Sequence, residues 1–471
     1  MQHTVRRNLL GLGAGVVVQR VLQLIAFLLV GARLGVEGLG VHAKGQAVAA
    51  VLTVLAGAGV RNLVARAVAS QPGAARPLVL RAVRVRLALG LVLTALATGI
   101  AFATATQPWF WLLWTLHTAP AAFDLKNLID AAGRTGREVL IETLAASLQL
   151  LAFTVWWLSG DDSLVTLAAI SLGCRVVYAL GAVGTIRRLP VAERPHLRGL
   201  GWSTAGLGQT AHELVAIGDI ALVAFACGDR AAGFYAIAAR LALAALLPST
   251  QLARLLLPHL LHAARTGDSG RTLRTALRAT AWVTLPFAAG GAVVAPALCA
   301  VSGAEFDEAA AALRLLLFAG CLQHLGWQLS HALLAGGRDR AYAHGLGWPA
   351  LLQAVALGAL SLLAGDAAPA SVAALAAAAA AVAQLGYLFA GLRAAGANRA
   401  LLAALPAPLL AAAACAGVAA LPLPWFSQPL GVFANIAAGG IGFAAVLWWF
   451  ELRGRLRKVG DGLATASGFV E

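Results

Sequence analysis

Several arginines lie inside apolar stretches of this 471-residue chain, where a charge requires a chemical reason. Arg20 lies roughly 16 Å into its run if the run is helical, and Gln19 and Gln23 make the surrounding face polar. Arg240 lies inside a later run, and Arg254 follows it after close to four helical turns. A charge at mid-bilayer costs roughly 2.5–3.5 kcal/mol and usually faces a polar cavity. Each arginine is therefore a candidate for binding, the alternative being a structural bond to a neighbouring helix.

A second candidate group combines carboxylates with a histidine. Gln209, His212 and Glu213 share one helical face at i, i+3 and i+4, and Asp219 follows on a different face. A glutamate beside a histidine suits proton or cation binding. The alternatives are a hydrogen-bonded structural pair, or carboxylates that neutralise the arginines.

A third pattern places polar residues at matching depth in two other runs. Asp124 and Asn127 lie in the fourth apolar run, and His324, Gln328 and His331 share a face in the tenth. Asp124 is a candidate for ion binding or gating. A polar seam between helices explains the same pattern.

The sequence lacks the motifs of several other kinds of functional site. There is no phosphate-loop motif and no Ser-His-Asp set, and the five cysteines have neither metal-ligand spacing nor a disulfide framework. The net charge of +15 has no basic face with interleaved aromatic residues, so nucleic-acid binding is not predicted. The sequence therefore predicts no catalytic residues, no cofactor and no metal site.

The elements that must position the charged residues are long apolar runs. The chain is 60% hydrophobic and 12% charged, which excludes a soluble domain. A helical run of about 20 residues crosses a hydrocarbon core of about 30 Å. We therefore predict an all-α integral membrane protein with about 14 transmembrane helices. Their predicted spans are 9–31, 43–65, 87–106, 109–131, 139–158, 163–186, 201–226, 232–258, 279–300, 313–335, 342–364, 369–391, 402–421 and 430–450.

Positive charge gives the orientation of these helices. Most of the 35 lysines and arginines fall at one side of the predicted membrane, including Arg81, Arg84 and Arg86 before the third span. The opposite loops are neutral or acidic, as in Asp161 and Asp162. Basic loops are retained in the cytosol, so both termini are predicted to be cytosolic.

An internal repeat relates the two halves of the chain. Residues 34–43 match residues 227–236 at an offset of 193, sharing Gly, four residues, Gly, an apolar residue, an aromatic ring and Ala. Residues 131–134 match 335–338 at an offset of 204. Both matches relate span n to span n+6, which predicts two parallel six-helix repeats. The predicted domains are an N-lobe at 1–190, a C-lobe at 195–395, two further helices at 400–452 and a cytosolic tail at 453–471.

Three stretches resemble the Wzx-type polysaccharide-lipid flippases of the multidrug/oligosaccharidyl-lipid/polysaccharide (MOP) exporter superfamily. They are residues 8–69 with Gln19-Arg20 and the loop 34–40, residues 218–241 with Gly233-Phe-Tyr-Ala, and residues 303–338 ending in Gly-Gly-Arg338. The resemblance implies two lobes in a V, with spans 1, 2, 7 and 8 around a cationic cavity. His42 departs from the repeat, because the other copy has Tyr235.

The resemblance also implies a substrate. It predicts a flippase in a bacterial inner membrane that moves an undecaprenyl-pyrophosphate-linked oligosaccharide, such as an O-antigen or exopolysaccharide unit, by alternating access. Arginine binds phosphate oxygens bidentately and stays charged when buried. The residues predicted to bind the pyrophosphate are Arg20, Lys44, Arg240 and Arg254, and the candidates for cation or proton binding or gating are Glu213, His212, Asp219 and Asp124. The expected partners are the lipid-linked oligosaccharide and the bilayer, and a downstream polysaccharide polymerase is a candidate partner.

Three alternatives stay open at this point. A lipid II flippase and a cation-coupled drug exporter belong to the same superfamily, and the drug exporter should favour acidic groups over arginine in its cavity. A membrane glycosyl ligase or polymerase would need a sizeable outward loop with catalytic groups. The longest outward segment, around residues 302–312, is too short for one.

Overall fold

The computed structural model describes residues 2–57, 60, 64, 68, 72–105, 107–124, 135–191, 204–364 and 368–419. Helices dominate these residues, and no strand occurs among them. The first helices are α1 (Gln2–Gly57), α2 (Ala75–Thr104), α3 (Pro108–Leu116), α4 (Thr118–Ala121), α5 (Thr135–Ser159), α6 (Leu164–Ile186), α7 (Thr204–Cys227) and α8 (Asp229–Ala245). The later ones are α9 (Leu247–Thr266), α10 (Ser269–Val293), α11 (Ala295–Ala300), α12 (Ala310–Ala335), α13 (Asp339–Ala364), α14 (Pro369–Ala395), α15 (Asn398–Ala404) and α16 (Pro406–Ala419). The all-helical prediction is confirmed.

The described helices make the chain a multi-pass membrane protein. Seven of them are long and apolar enough to cross a bilayer, or eight when α8 and the start of α9 are taken as one span bent by 52°. Large apolar side chains cover the outer surface, as at Ile100, Phe225 and Leu362, which is 86% exposed. Such a surface is stable against lipid and unfavourable in water. The count of fourteen spans and the cytosolic position of both termini stay predictions, and the span 430–450 and the tail lie outside the described residues.

Helix α1 joins the first two predicted spans. Its backbone is non-helical at Gly35, where φ is 66° and ψ is −172°. A positive φ strains most residues and suits glycine. The first two predicted spans are therefore the two arms of a kinked helix.

The fourth predicted span, 109–131, is interrupted where the structure describes it. Helix α3 begins with Pro108 at its N-terminal turn and ends at Leu116, and α4 closes at Ala121. The predicted fourth span is thus short helical pieces up to Asp124, and its remaining residues lie outside the described part of the chain.

The chain divides into two compact units. The first contains residues 1–240 and 339–379, and the second contains residues 241–338 and 380–471. Within the first unit α1 packs against α5 and α7, and α7 packs against α13. Within the second unit α10 packs against α9, α12 and α16 over a core that includes Leu273, Leu277 and Leu325. The lobe boundaries drawn from the sequence stay a prediction.

The two copies of the repeat meet in the first unit. Gly228 corresponds to Gly35 at the offset of 193, and its φ of 87° is also positive. A side chain at Gly40 would overlap the carbonyl of Asp229, and one at Gly233 would overlap the carbonyl of Val36. Gly40 corresponds to Gly233 and Val36 to Asp229, so each copy makes the same contact with the other. A reciprocal contact of this kind is expected at a two-fold axis, and the local geometry follows the repeat.

Candidate functional site

A cavity of about 400 Å³ lies within the first unit. Binding cavities for organic ligands typically measure about 300–1,000 Å³. Each helix contributes one face. The lining residues from α1 are Gln19, Gln23, Gln46, Ala49, Ala50, Thr53 and Val54; those from α5 are Glu142, Ala145, Ala146 and Gln149; those from α6 are Ser171, Cys174, Arg175 and Tyr178. Spacings of three, four and seven residues place each set on one side of its helix. Trp114, His117, Ala121 and Asp124 lie in or beside α3 and α4, and Glu213, Ile217 and Arg240 complete the wall from α7 and α8.

Arg240 lies in the cavity wall. Its Nη2 donates a hydrogen bond of 2.6 Å to Oε1 of Gln46, and its guanidinium lies 5.2 Å from the centre of the Phe27 ring. Gln46 was not among the predicted site residues. The bond joins α8 to the second arm of α1 and fixes the guanidinium at the edge of the cavity.

Arg20 lies next to two residues of the cavity wall, Gln19 and Gln23. Its Nη1 donates to Oε1 of Gln23 at 3.0 Å, which is the i, i+3 relation expected from the sequence. Gln19 and Gln23 line the cavity, whereas Arg20 is not in the lining among the described residues. Arg20 is near enough to Arg240 for the two positive charges to repel each other.

Lys44 makes a different set of contacts. Its Nζ lies 2.5 Å from Oδ1 of Asp229 and also faces the rings of Trp111 and Phe225. It is not in the cavity lining among the described residues. The structure thus places Lys44 in an ion pair at the start of α8, beside the reciprocal glycine contact. The side chain of Arg254 lies outside the described residues; the bend expected from Pro248 is present between α8 and α9.

The predicted carboxylates have separate surroundings. Glu213 lines the cavity and accepts a 2.9 Å hydrogen bond from Nε2 of Gln209 on the same face of α7. His212 is buried and is not in the lining among the described residues. Asp219 faces elsewhere, as predicted, and accepts a 2.8 Å bond from the Tyr235 hydroxyl. Glu213 is therefore the predicted carboxylate of α7 that faces the cavity.

The departure from the repeat at His42 has a structural explanation. In the second copy of the repeat, the hydroxyl of Tyr235 donates a hydrogen bond to Asp219. His42 is fully buried and packs edge-on against Trp114, with ring centres 5.3 Å apart, and against Phe153. The two copies therefore use the same position for different contacts.

Asp124 is held by two arginines that the sequence analysis did not select. Arg175 Nη2 lies 3.0 Å from Oδ2 of Asp124, and both line the cavity. Arg86 donates from Nη1 to the backbone carbonyl of Asp124 at 2.6 Å and from Nη2 to that of Ala121 at 2.9 Å. Arg86 is only 4% exposed, so it is a buried residue that binds backbone carbonyls. The cytosolic side predicted for it stays a prediction.

Other residues of the wall were also missed. Glu142, Gln149 and Tyr178 line the cavity. The seven-residue spacing of Glu142 and Gln149 on one helical face was the available signal. It is weak, because one polar face does not reveal what packs against it.

The charge of the wall is mixed. Among the described residues it holds Arg175 and Arg240 together with Asp124, Glu142 and Glu213. The cavity is thus less basic than the resemblance implied, since Arg175 is paired with Asp124 and Arg20 stands just outside the lining.

Comparisons with known proteins identify the fold. No protein-family profile matches the chain, and no curated protein sequence matches it. An inward-facing multidrug resistance transporter of the MATE family, in the MOP superfamily, has a TM-score of 0.63 at 17% identity over 81% of this chain and 96% of its own. The lipid II flippase MurJ in an inward closed conformation has a TM-score of 0.65 at 12% identity over 93% and 98%. A MOP superfamily transporter from Pyrococcus furiosus, described as having a binding pocket of reversed polarity, has a TM-score of 0.56 at 16% identity over 82% and 94%.

The chain therefore has the fold of the MATE and MurJ structures. At these identities the likeness defines the fold. It leaves the substrate to be argued from the cavity.

Proposed function

We propose that this protein is a flippase that moves a polyprenyl-pyrophosphate-linked oligosaccharide across a bacterial inner membrane by alternating access. The observation that carries the proposal is Arg240, an arginine of an apolar helix that lines the cavity and donates a hydrogen bond to Gln46. An enzyme role gains no support, since the relatives in fold are transporters.

Phosphate chemistry explains the choice of arginine. Guanidinium groups stay charged in a low-dielectric site and offer several donors to phosphate oxygens. Gln46 accepts a hydrogen bond from Arg240 without neutralising it. Arg240 therefore presents a positive charge in the wall to an anionic headgroup.

The test is transport by the purified protein in liposomes. The probe is a polyprenyl-pyrophosphate-linked oligosaccharide whose sugar is detected by an impermeant reagent on one face of the membrane. We expect Arg240→Gln and Arg20→Gln to slow movement about tenfold or more, because a charge-assisted hydrogen bond contributes about 1.5–3 kcal/mol. The matched control is Arg271→Gln, which removes an exposed guanidinium at the start of α10. Normal rates in stably folded Arg240 and Arg20 variants would refute the proposal.

A cation-coupled drug exporter is the second candidate, favoured by the carboxylates Asp124, Glu142 and Glu213 in the wall. The same liposomes distinguish it when the probe is a cationic dye. Uptake of the dye with no movement of the lipid-linked sugar would establish the exporter. Lipid II serves as a third probe, and its movement alone would assign the protein to peptidoglycan precursors.

A further inference from the structure

Side-chain amides line much of the cavity wall formed by α1, α5 and α6. Four side-chain amides line the cavity, those of Gln19, Gln23, Gln46 and Gln149. Each amide carries donors and an acceptor. The small side chains of Ala49, Ala50, Ala145 and Ala146 lie beside them and leave space for a ligand.

Acceptors and hydroxyl groups complete this wall. Glu142 lines the cavity three residues before Ala145, and Thr53, Ser171 and Tyr178 add hydroxyl groups. A phosphate oxygen only accepts hydrogen bonds at this site, so acceptor atoms and carboxylates do not stabilise it. A sugar hydroxyl donates and accepts, and it matches both kinds of partner.

Unsatisfied atoms in the same wall point to the same class of ligand. Oε1 of Gln19, Nε2 of His117 and Oη of Tyr178 are buried and have no hydrogen-bond partner among the described residues. Nδ1 of His117 donates to the carbonyl of Leu113 at 2.9 Å, so Nε2 of the neutral ring is an acceptor. The wall thus holds acceptors and a hydroxyl without partners, and an unmade bond of this kind carries a free-energy penalty. All three atoms belong to residues of the cavity lining.

We infer that the faces of α1, α5 and α6 form a subsite for the hydroxylated sugar part of the substrate, while Arg240 and Arg20 hold its phosphates. The inference rests on the proposed function and adds the position of the sugar. Gln149 and Glu142, both on α5, are the residues that distinguish a sugar-bearing lipid from a bare one.

The experiment measures binding of two lipids to the full-length protein in nanodiscs. One probe is polyprenyl pyrophosphate without sugar, and the other is the same lipid carrying an oligosaccharide. We expect Gln149→Leu to weaken binding of the sugar-bearing lipid about tenfold, the loss of one or two hydrogen bonds, and to leave binding of the bare lipid unchanged. Arg240→Gln should weaken binding of both.

The matched control is Ser147→Leu, which changes an exposed residue of the same helix two positions from Gln149. Equal effects of Gln149→Leu on the two lipids, or no effect on either in folded protein, would overturn the subsite and leave the proposed function intact. If neither lipid binds to the unchanged protein, the proposed function fails instead.

Discussion

At the scale of single residues, the charges within apolar helices have distinct tasks. Arg240 faces the cavity, Lys44 is paired with Asp229, and Arg175 is paired with Asp124. Arg86 binds backbone carbonyls and faces neither solvent nor the ligand space. An arginine at bilayer depth is therefore not by itself evidence of substrate binding, and its partners decide its role.

The role of Arg86 can be tested by stability. Arg86→Gln should lower the free energy of unfolding, because the carbonyls of Ala121 and Asp124 lose their donors at a cost of about 1–3 kcal/mol each. The measurement is the thermal unfolding midpoint in detergent. Arg84→Gln, at an exposed position of the same helix, is the control and should change the midpoint little. An unchanged midpoint for Arg86→Gln would show that other groups satisfy these carbonyls.

At the scale of elements, glycine determines how closely the repeat copies approach. Gly35 and Gly228 permit the left-handed backbone between successive helices, and Gly40 and Gly233 let each copy contact the backbone of the other. The ion pair of Lys44 with Asp229 lies at the same place. The sequence match at the offset of 193 thus has a physical cause, since both copies meet the same steric demand.

Substitution of these glycines tests that demand. Gly40→Ala and Gly233→Ala should each lower the thermal unfolding midpoint, because the new Cβ would overlap a carbonyl oxygen of the other copy. The double variant should lose less than the sum of the two, since one separation of the helices relieves both overlaps. Gly99→Ala, where a Cβ meets no other atom within 4 Å, is the control. Fully additive losses would contradict a shared contact.

At the scale of the whole molecule, the fold and the predicted orientation in the membrane rest on different observations. The fold is that of MATE and MurJ transporters over most of the chain. The orientation depends on the positive-inside rule. The segment Ala304–Ala309, which is predicted to face outward, is acidic, with Glu305, Asp307 and Glu308. The segment between α9 and α10, predicted to be cytosolic, is followed by Arg271 and Arg274.

Orientation is tested by labelling in intact cells. Glu308→Cys should react with a membrane-impermeant maleimide from outside, and Gly270→Cys should react only after permeabilisation, because basic segments stay in the cytosol. The unchanged protein is the control, since four of its five cysteines are buried. Labelling of Gly270→Cys in intact cells would reverse the predicted orientation.

The sequence alone determined the helical, membrane-spanning class, the arginines within the apolar runs and the repeat, because hydrophobic length, charge and local spacing are properties of consecutive residues. It also placed Gln19, Gln23 and Glu213 on polar faces, since helical periodicity fixes which side chains share a side. Only the tertiary structure decided which faces meet: Arg240 with Gln46, Asp124 with Arg175, and Lys44 with Asp229 instead of the cavity. These partners are distant in the chain, and no local pattern encodes a contact that depends on how whole helices pack.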